Sequence, residues 1–239
     1  MGNSEVLDTS RPIRSKELLR YILFIIAQTG LLGLLLFLAA GQVKWLEGWI
    51  FIICYLLSFL IFLIWGVRKD PALLRERARS GSNGGKSWDG IILRIHVLFT
   101  LGILVLAGLD QRFGWSTVPP TLQWIAFIVL EFSWFLSHWA LRSNPFASGA
   151  VRIQEERGHV VSTGGPYRFV RHPMYIAQIL YMLVFPIFID SWWALLIGIL
   201  DVILFIVRTA LEDKTLQTEL PGYKAFTRQT RFRLIPGIW

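Results

Sequence analysis

Cysteine is almost missing from this 239-residue chain. The single one, Cys54, excludes an internal disulfide and any cysteine-rich metal site, and within its apolar run it reads as a small hydrophobe. Charge is scarce too: Asp, Glu, Lys and Arg make up 17% of the residues against 54% hydrophobic ones. No cleavable signal peptide is expected, because a polar segment precedes the first apolar run and that run is too long for an h-region. The start has Val6 where a myristoylation motif wants Ser or Thr. No internal repeat is visible. The Gly-rich stretch Ser80–Ser87, SGSNGGKS, lacks the Walker lysine spacing and follows no strand, so it reads as a flexible loop tip and not as a phosphate cradle.

Apolar residues are what the chain has in quantity. The mean hydropathy is +0.52, beyond the range of ordinary soluble domains, and 11 Trp with 17 Phe suit interfacial belts and lipid-facing helices. The reading is an all-α integral membrane protein. Four runs reach the roughly 20 residues a bilayer needs: Tyr21–Ala40, Gly48–Val67, Gly90–Leu109 and Thr121–Leu141. After a polar stretch come Pro173–Ile189 and Ser191–Arg208, joined at Asp190. The fifth run is short, carries Pro186 near its end, and is expected to tilt or to form a helical hairpin with the sixth.

The charge pattern supports about six transmembrane helices. Of the 24 Lys and Arg, only Lys44 and Arg112 fall on one side, Arg94 lies within a span, and the rest gather on the other side with both termini. By the positive-inside rule that side is cytoplasmic, and the net charge of +8 reflects membrane anchoring to anionic lipid; nucleic acid is not expected as a partner.

Several polar residues lie within apolar runs. They are Glu131, His138 and Asp201, with Arg94 and His96 near the cytoplasmic start of the third span. Burying a charge at the bilayer centre costs about 2.5–3.5 kcal/mol on insertion scales, so each should face protein or water. Glu131 and His138, seven apart, share a helix face. Either they hold the bundle together by interhelical hydrogen bonds or they line a pocket or proton relay; the sequence leaves both open.

The densest chemistry is in Gly164–Tyr175, GGPYRFVRHPMY. Its Gly-Gly-Pro predicts a tight turn before Tyr167, with backbone able to approach a ligand closely. Pro173 suits the first turn of a helix, which puts His172 at the N-cap side of the fifth span. A helix N-terminus with His172 and Arg171 is a natural place for a carboxylate. Arg168 reads equally as a contact to lipid phosphate. A second cluster, Arg208-x-x-x-Glu212-Asp213, puts Arg208 and Glu212 on one helix face, either as a surface ion pair or as part of a site.

GPYRFVRHPMY followed by Arg-x-x-x-Glu-Asp-x-x-Leu resembles the isoprenylcysteine carboxyl methyltransferase family, part of a wider group of integral-membrane methyltransferases that includes phospholipid N-methyltransferases. Leu220-Pro221-Gly222-Tyr223 and Arg231-Phe232-Arg233-Leu234-Ile235-Pro236 resemble the tail of its bacterial members. The match covers about residues 145–239. It implies a four-helix transmembrane scaffold over 1–141 and a methyltransferase region over 142–239, where the last two helices, the preceding loop and the tail hold the cofactor on the cytosolic side. It implies S-adenosyl-L-methionine as that cofactor, bound by Gln154, His159, Val160, Val161, Ser162, Tyr167, His172, Pro173, Met174, Tyr175 and Glu212. Arg208 would hold the acceptor, and Arg208 and Glu212 together would be catalytic, with no metal. Two departures stand out: the acidic pair is Glu-Asp where Glu-Glu is more usual, and Phe226 replaces a common second tyrosine.

Methyl transfer is an in-line displacement that depends on orientation. A carboxylate acceptor needs no base, only a cation such as the planar fork of Arg208. An amine acceptor needs a base, for which Glu212 and His138 are candidates. The expected activity is methylation of a hydrophobic or amphipathic, lipid-like (isoprenylcysteine-type) acceptor, with membrane lipids as further partners, carboxyl O-methylation first and phospholipid or amine N- or thiol S-methylation as alternatives. A non-catalytic lipid-binding or transport bundle is the reading from another class, although no inverted repeat favours it. The resemblance also implies a bacterial inner-membrane location.

Overall fold

The computed structural model describes residues 13–78 and 85–239. The start of the chain and residues 80–84 of the expected loop tip lie outside the described residues. Among the described residues eight α-helices follow in order: α1 Ser15–Ala40, α2 Leu46–Lys69, α3 Pro71–Ala78, α4 Ser87–Phe113, α5 Pro120–Arg142, α6 Pro173–Phe188, α7 Trp192–Glu219 and α8 Tyr223–Gln229. Among the described residues no strand occurs. The protein is an all-helical integral membrane protein.

Five helices, α1, α2, α4, α5 and α7, are long and apolar enough to cross a membrane, and α6 is shorter. With 16 residues α6 is about 24 Å long, less than the roughly 30 Å hydrocarbon core. It nonetheless runs between the two ends of the bundle. At its start, the His172 N–H donates to the Arg233 carbonyl (3.0 Å) beside the C-terminal tail. At its exit, Asp190 accepts from the Val118 N–H (2.5 Å) just ahead of α5. Asp190 sits at φ 64°, a left-handed turn unusual for a non-glycine residue, and this reverses the chain into α7 as the expected hairpin. Ser191 caps α7 by accepting from the Ala194 N–H (3.0 Å).

The six long elements alternate in direction, so one end of the bundle collects the start of α1, α3, the start of α4, the 143–172 connection, α8 and the tail. The core between the ends is aromatic and aliphatic: Phe51, Phe185, Phe188, Leu36, Ile103 and Leu130 are sealed from solvent. Glycine makes the tightest crossing possible. A Cβ on Gly198 would lie 2.3 Å from the Met182 carbonyl oxygen, so α6 and α7 touch backbone to backbone.

Candidate functional site

Two polar rungs set α4 against α7. Arg208 donates from Nε to Asp89 Oδ1 (2.7 Å), and from Nη2 to Asp89 Oδ2 (3.1 Å) and the Gly149 carbonyl (3.1 Å). Seven residues along each helix, His96 Nδ1 meets Asp201 Oδ1 at 3.0 Å and Oδ2 at 3.1 Å. The spacing is two helical turns on both antiparallel helices, so both rungs fall on one face. On α7 that face reads Asp201, Phe205, Arg208, Glu212. Arg208 therefore pairs with Asp89 and not with Glu212, its neighbour one turn on. Its charge also lies over the rings of Tyr175 (5.2 Å) and Phe205 (5.6 Å).

Asp213 is the hub of the end that gathers the loops. It is fully buried. Its oxygens receive Arg171 (2.8 and 3.2 Å), Arg233 (2.9 Å), Gln217 (2.7 Å) and the Tyr223 hydroxyl (3.1 Å), and His172 Nε2 lies 3.2 Å away. The carboxylate expected beside His172 and Arg171 is thus supplied by the chain itself. Arg171 also donates to the Thr230 carbonyl (2.9 Å), and its own N–H donates to the Phe232 carbonyl (2.9 Å). The RHP motif is in this way a clamp for the tail.

Above this clamp opens a cavity of about 280 Å³. Arg208, Glu212, His159, Val161, Ser162, Tyr167, His172, Met174 and Tyr175 line it. Glu212 accepts the Tyr175 hydroxyl, and the Tyr175 ring stacks on His172 at 5.6 Å. Tyr167 is held by Asn144 Nδ2 (3.3 Å), whose Oδ1 accepts from Ser162 (3.0 Å). Burial pushes the Tyr167 phenol well above its ordinary pKa, so it stays protonated. Burial first, then the positive charges of Arg157 and Arg152, push His159 down from the usual imidazole value.

Gln154, Val160 and Pro173 are outside the lining. Gln154 is fully buried and orders the loop, donating to the Phe146 carbonyl (2.6 Å) and accepting from Arg157 (2.5 Å). Val160 is 61% exposed, and Pro173 is buried at the first position of α6. The Gly-Gly-Pro turn works differently from its sequence reading. Gly165 has φ 55°, and a Cβ there would lie 2.1 Å from Ser143 Oγ, so this glycine lets the turn close on the end of α5. Phe226 packs with Tyr167, Tyr223 and Leu220 and lines the cavity with them.

Residues 1–141, read from the sequence as a scaffold, also reach the cavity. Arg77, Leu93, His96 and Ser137 all line the cavity, and Asp89 holds Arg208. Arg77 donates to the Ser148 carbonyl (3.3 Å) from one guanidinium nitrogen. The sequence signal for these residues was a basic turn and an intramembrane histidine, neither of which identifies a partner. Glu131 and His138 stand apart from the cavity. His138 stacks on Phe62 (5.7 Å) and meets Ser58 (3.4 Å) between α2 and α5.

Residues 121–220, from α5 through α7 and including Tyr167, His172, Tyr175, Arg208, Glu212 and Asp213, match the family model described as phospholipid methyltransferase. Over this segment the chain is similar to the phospholipid methyltransferase family. Similarity also extends to the uncharacterized protein YpbQ of Bacillus subtilis (strain 168), 29% identical over 136 residues, or 56% of this chain and 76% of that one. Together with the long apolar helices, the phospholipid methyltransferase match supports a membrane methyltransferase. The matched segment stops short of the tail that Asp213 clamps, and it excludes Arg77, Asp89 and His96.

Proposed function

We propose that the cavity binds S-adenosyl-L-methionine and that the protein methylates the headgroup of a lipid-like acceptor entering from the membrane. The observation that carries this reading is the convergence of Glu212 and Tyr175 on the cavity wall, 37 residues apart in sequence. S-adenosyl-L-methionine supplies an electrophilic methyl on a positive sulfonium. A carboxylate at Glu212 and the faces of Tyr175, Tyr167 and Phe226 suit that cation. Asn144 and Ser162 supply the hydroxyl and amide groups a ribose requires. The donor set therefore fits the cofactor.

The acceptor assignment turns on Arg208. Sequence alone puts a carboxylate first, because Arg208 offers a two-donor fork. Asp89 occupies that fork, so a phospholipid amine becomes the first reading, in keeping with the family description. Carboxyl O-methylation of an isoprenylcysteine-type acceptor is the second. Arg77 favours it, as a cavity cation with a single carbonyl partner among the described residues. The loop-rich end and both termini face the cytosol of a bacterial inner membrane on this reading, supported by the clustering of basic residues at that end.

Isothermal titration of the purified protein in detergent tests the cofactor. S-adenosylhomocysteine is expected to bind saturably, and Tyr175→Phe to weaken it by about 1–3 kcal/mol through the lost buried hydrogen bond. Absence of saturable binding to the wild-type protein would return the bundle to lipid binding or transport.

A further inference from the structure

The two rungs between α4 and α7 differ in what they leave over. Arg208 is committed to Asp89, Gly149 and two ring faces. In the other rung Asp201 is fully buried, and among the described residues His96 is its hydrogen-bond partner. The His96 side chain keeps 20% of its surface and lines the inner part of the cavity with Leu93, Ser137, Gln178 and Phe205. An ionised Asp201 can only accept, so Nδ1 of His96 carries the proton and Nε2 keeps its lone pair. Nothing among the described residues hydrogen-bonds to that Nε2. The Phe205 ring, edge-on to His96 at 5.0 Å, also touches Tyr175 at 5.6 Å, so His96 lies one ring away from the Glu212–Tyr175 pair.

We propose that His96, oriented by Asp201, is the general base of this cavity and takes the proton that a protic acceptor must lose. The proposal rests on the methyltransferase reading above. An ammonium headgroup gives one proton to Nε2, which frees the nitrogen lone pair. The N–C bond then forms as the bond from methyl to sulfonium breaks, and that electron pair stays on sulfur as a neutral thioether. The imidazolium, stabilised by the Asp201 carboxylate, returns its proton to water at the cavity mouth. The charged and titratable groups around the dyad are Arg208 on α7 and Tyr175 and Tyr181 on α6.

The other cavity histidines are less suited. His159 accepts the Gln154 N–H at Nδ1 (3.3 Å), which puts its own proton on Nε2 and makes that atom a donor. His172 does face a carboxylate, but its Nε2 is committed to Asp213 inside the clamp that Arg171 and Arg233 share. Glu212 is engaged by the Tyr175 hydroxyl.

His96→Asn is the decisive variant, since its amide N–H can still donate to Asp201 but it has no base. Methyl transfer from labelled S-adenosylmethionine would be measured on two probes: phosphatidylethanolamine–phosphatidylglycerol vesicles, and the same vesicles carrying a prenylated cysteine with a free carboxylate. General-base catalysis contributes about 10²–10⁴-fold, so turnover on the amine at pH 7 is expected to fall at least about 100-fold. S-adenosylhomocysteine affinity should stay within about two-fold, and the deficit should shrink toward pH 10 as the amine loses its proton to water. A second readout needs no turnover: ¹⁵N imidazole spectra should give His96 as the Nδ1–H tautomer in the wild type, with that preference lost in Asp201→Asn. Undiminished amine turnover in His96→Asn, a deficit that ignores pH, or an Nε2–H tautomer would each overturn the proposal. So would a wild type that binds S-adenosylhomocysteine but leaves the amine unmethylated. A wild type that neither binds S-adenosylhomocysteine nor methylates either probe fails one step earlier, at the methyltransferase reading itself.

Discussion

The two ends of the bundle handle buried carboxylates in opposite ways. At the end with short connections, Asp110 is sealed and accepts from the Ser116 N–H (2.7 Å), the Ser116 hydroxyl (2.6 Å) and the Ser191 hydroxyl (2.6 Å). Every group in that knot bonds to another member of it, and nothing is left to recognise a ligand. At the other end Asp213 is just as saturated, but directly beside it Glu212, Tyr175, His172 and Arg77 line an open cavity. Adjacent residues on one helix thus divide the labour. Asp213 closes the structure, and Glu212 lines the cavity. A buried polar group costs free energy unless it is satisfied, which is why both Asp110 and Asp213 are surrounded by donors.

The strongest way to break this contrast is Asp213→Asn. It strips charge from a buried hub that holds Arg171 and Arg233, and breaking a buried pair costs about 3–5 kcal/mol. Thermal unfolding in detergent should move down sharply, and S-adenosylhomocysteine binding should be lost with the docked tail. A full-strength site in this variant would mean that the clamp is not what assembles it.

Asp110→Ala comes next. It orphans two hydroxyls and an N–H, at about 1–3 kcal/mol of stability. The unfolding midpoint should drop, while calorimetric affinity for S-adenosylhomocysteine holds. Loss of affinity here would show that the two ends are coupled through α4.

Glu212→Gln should do the reverse. The unfolding midpoint is expected to change little. Affinity for the sulfonium-bearing S-adenosylmethionine should fall about ten-fold, or 1.4 kcal/mol, and affinity for the uncharged-sulfur homocysteine product by less. Equal losses for both ligands would remove the electrostatic role assigned to this carboxylate.

The smallest effect concerns the loop that roofs the cavity. Glu76 receives Arg152 (3.1 and 2.9 Å) and Ser148 (3.0 Å). Burial acts to raise its pKa, but the hydrogen bonds from Arg152 and Ser148 outweigh it and hold the carboxyl below the ordinary value. Its stabilisation is therefore complete above the ordinary carboxylate range and fades as pH falls through the lowered folded value. Melting midpoints between pH 6 and pH 3 should decline less steeply in Glu76→Gln than in the wild type.

What could be read from the chain followed distance along it. Helix periodicity was enough to align Arg208 with Glu212, and the fixed φ of proline to start α6 at Pro173, because both relations are local. The short fifth run and its hairpin were visible from Pro186 and Asp190. Partners across the fold were not. Asp89 is 119 residues from Arg208, and nothing local in Ser87-Trp88-Asp89 marks it as the holder of that guanidinium. His96 and Asp201 were both conspicuous as polar residues in apolar runs, but their pairing requires the register of α4 on α7. Asp213, read as half of an acidic pair, is a structural hub because the tail folds back over it, and tail docking leaves no periodic trace.

The shortness of α6 sets the level of the cavity within the bundle. Arg208 lies eleven residues before the end of α7, roughly 16 Å along its axis, and α6 begins beside it, so the cavity lies below the tip of α7, where the apolar run of that helix gives way to its polar end. A lipid drawn fully into water forfeits about 0.8 kcal/mol for every methylene exposed. On the proposed reading, an acceptor held at that level keeps its tails in the bilayer, and only the headgroup has to reach into the cavity. Discrimination would then fall on the headgroup alone, and chain length would become a nearly silent variable.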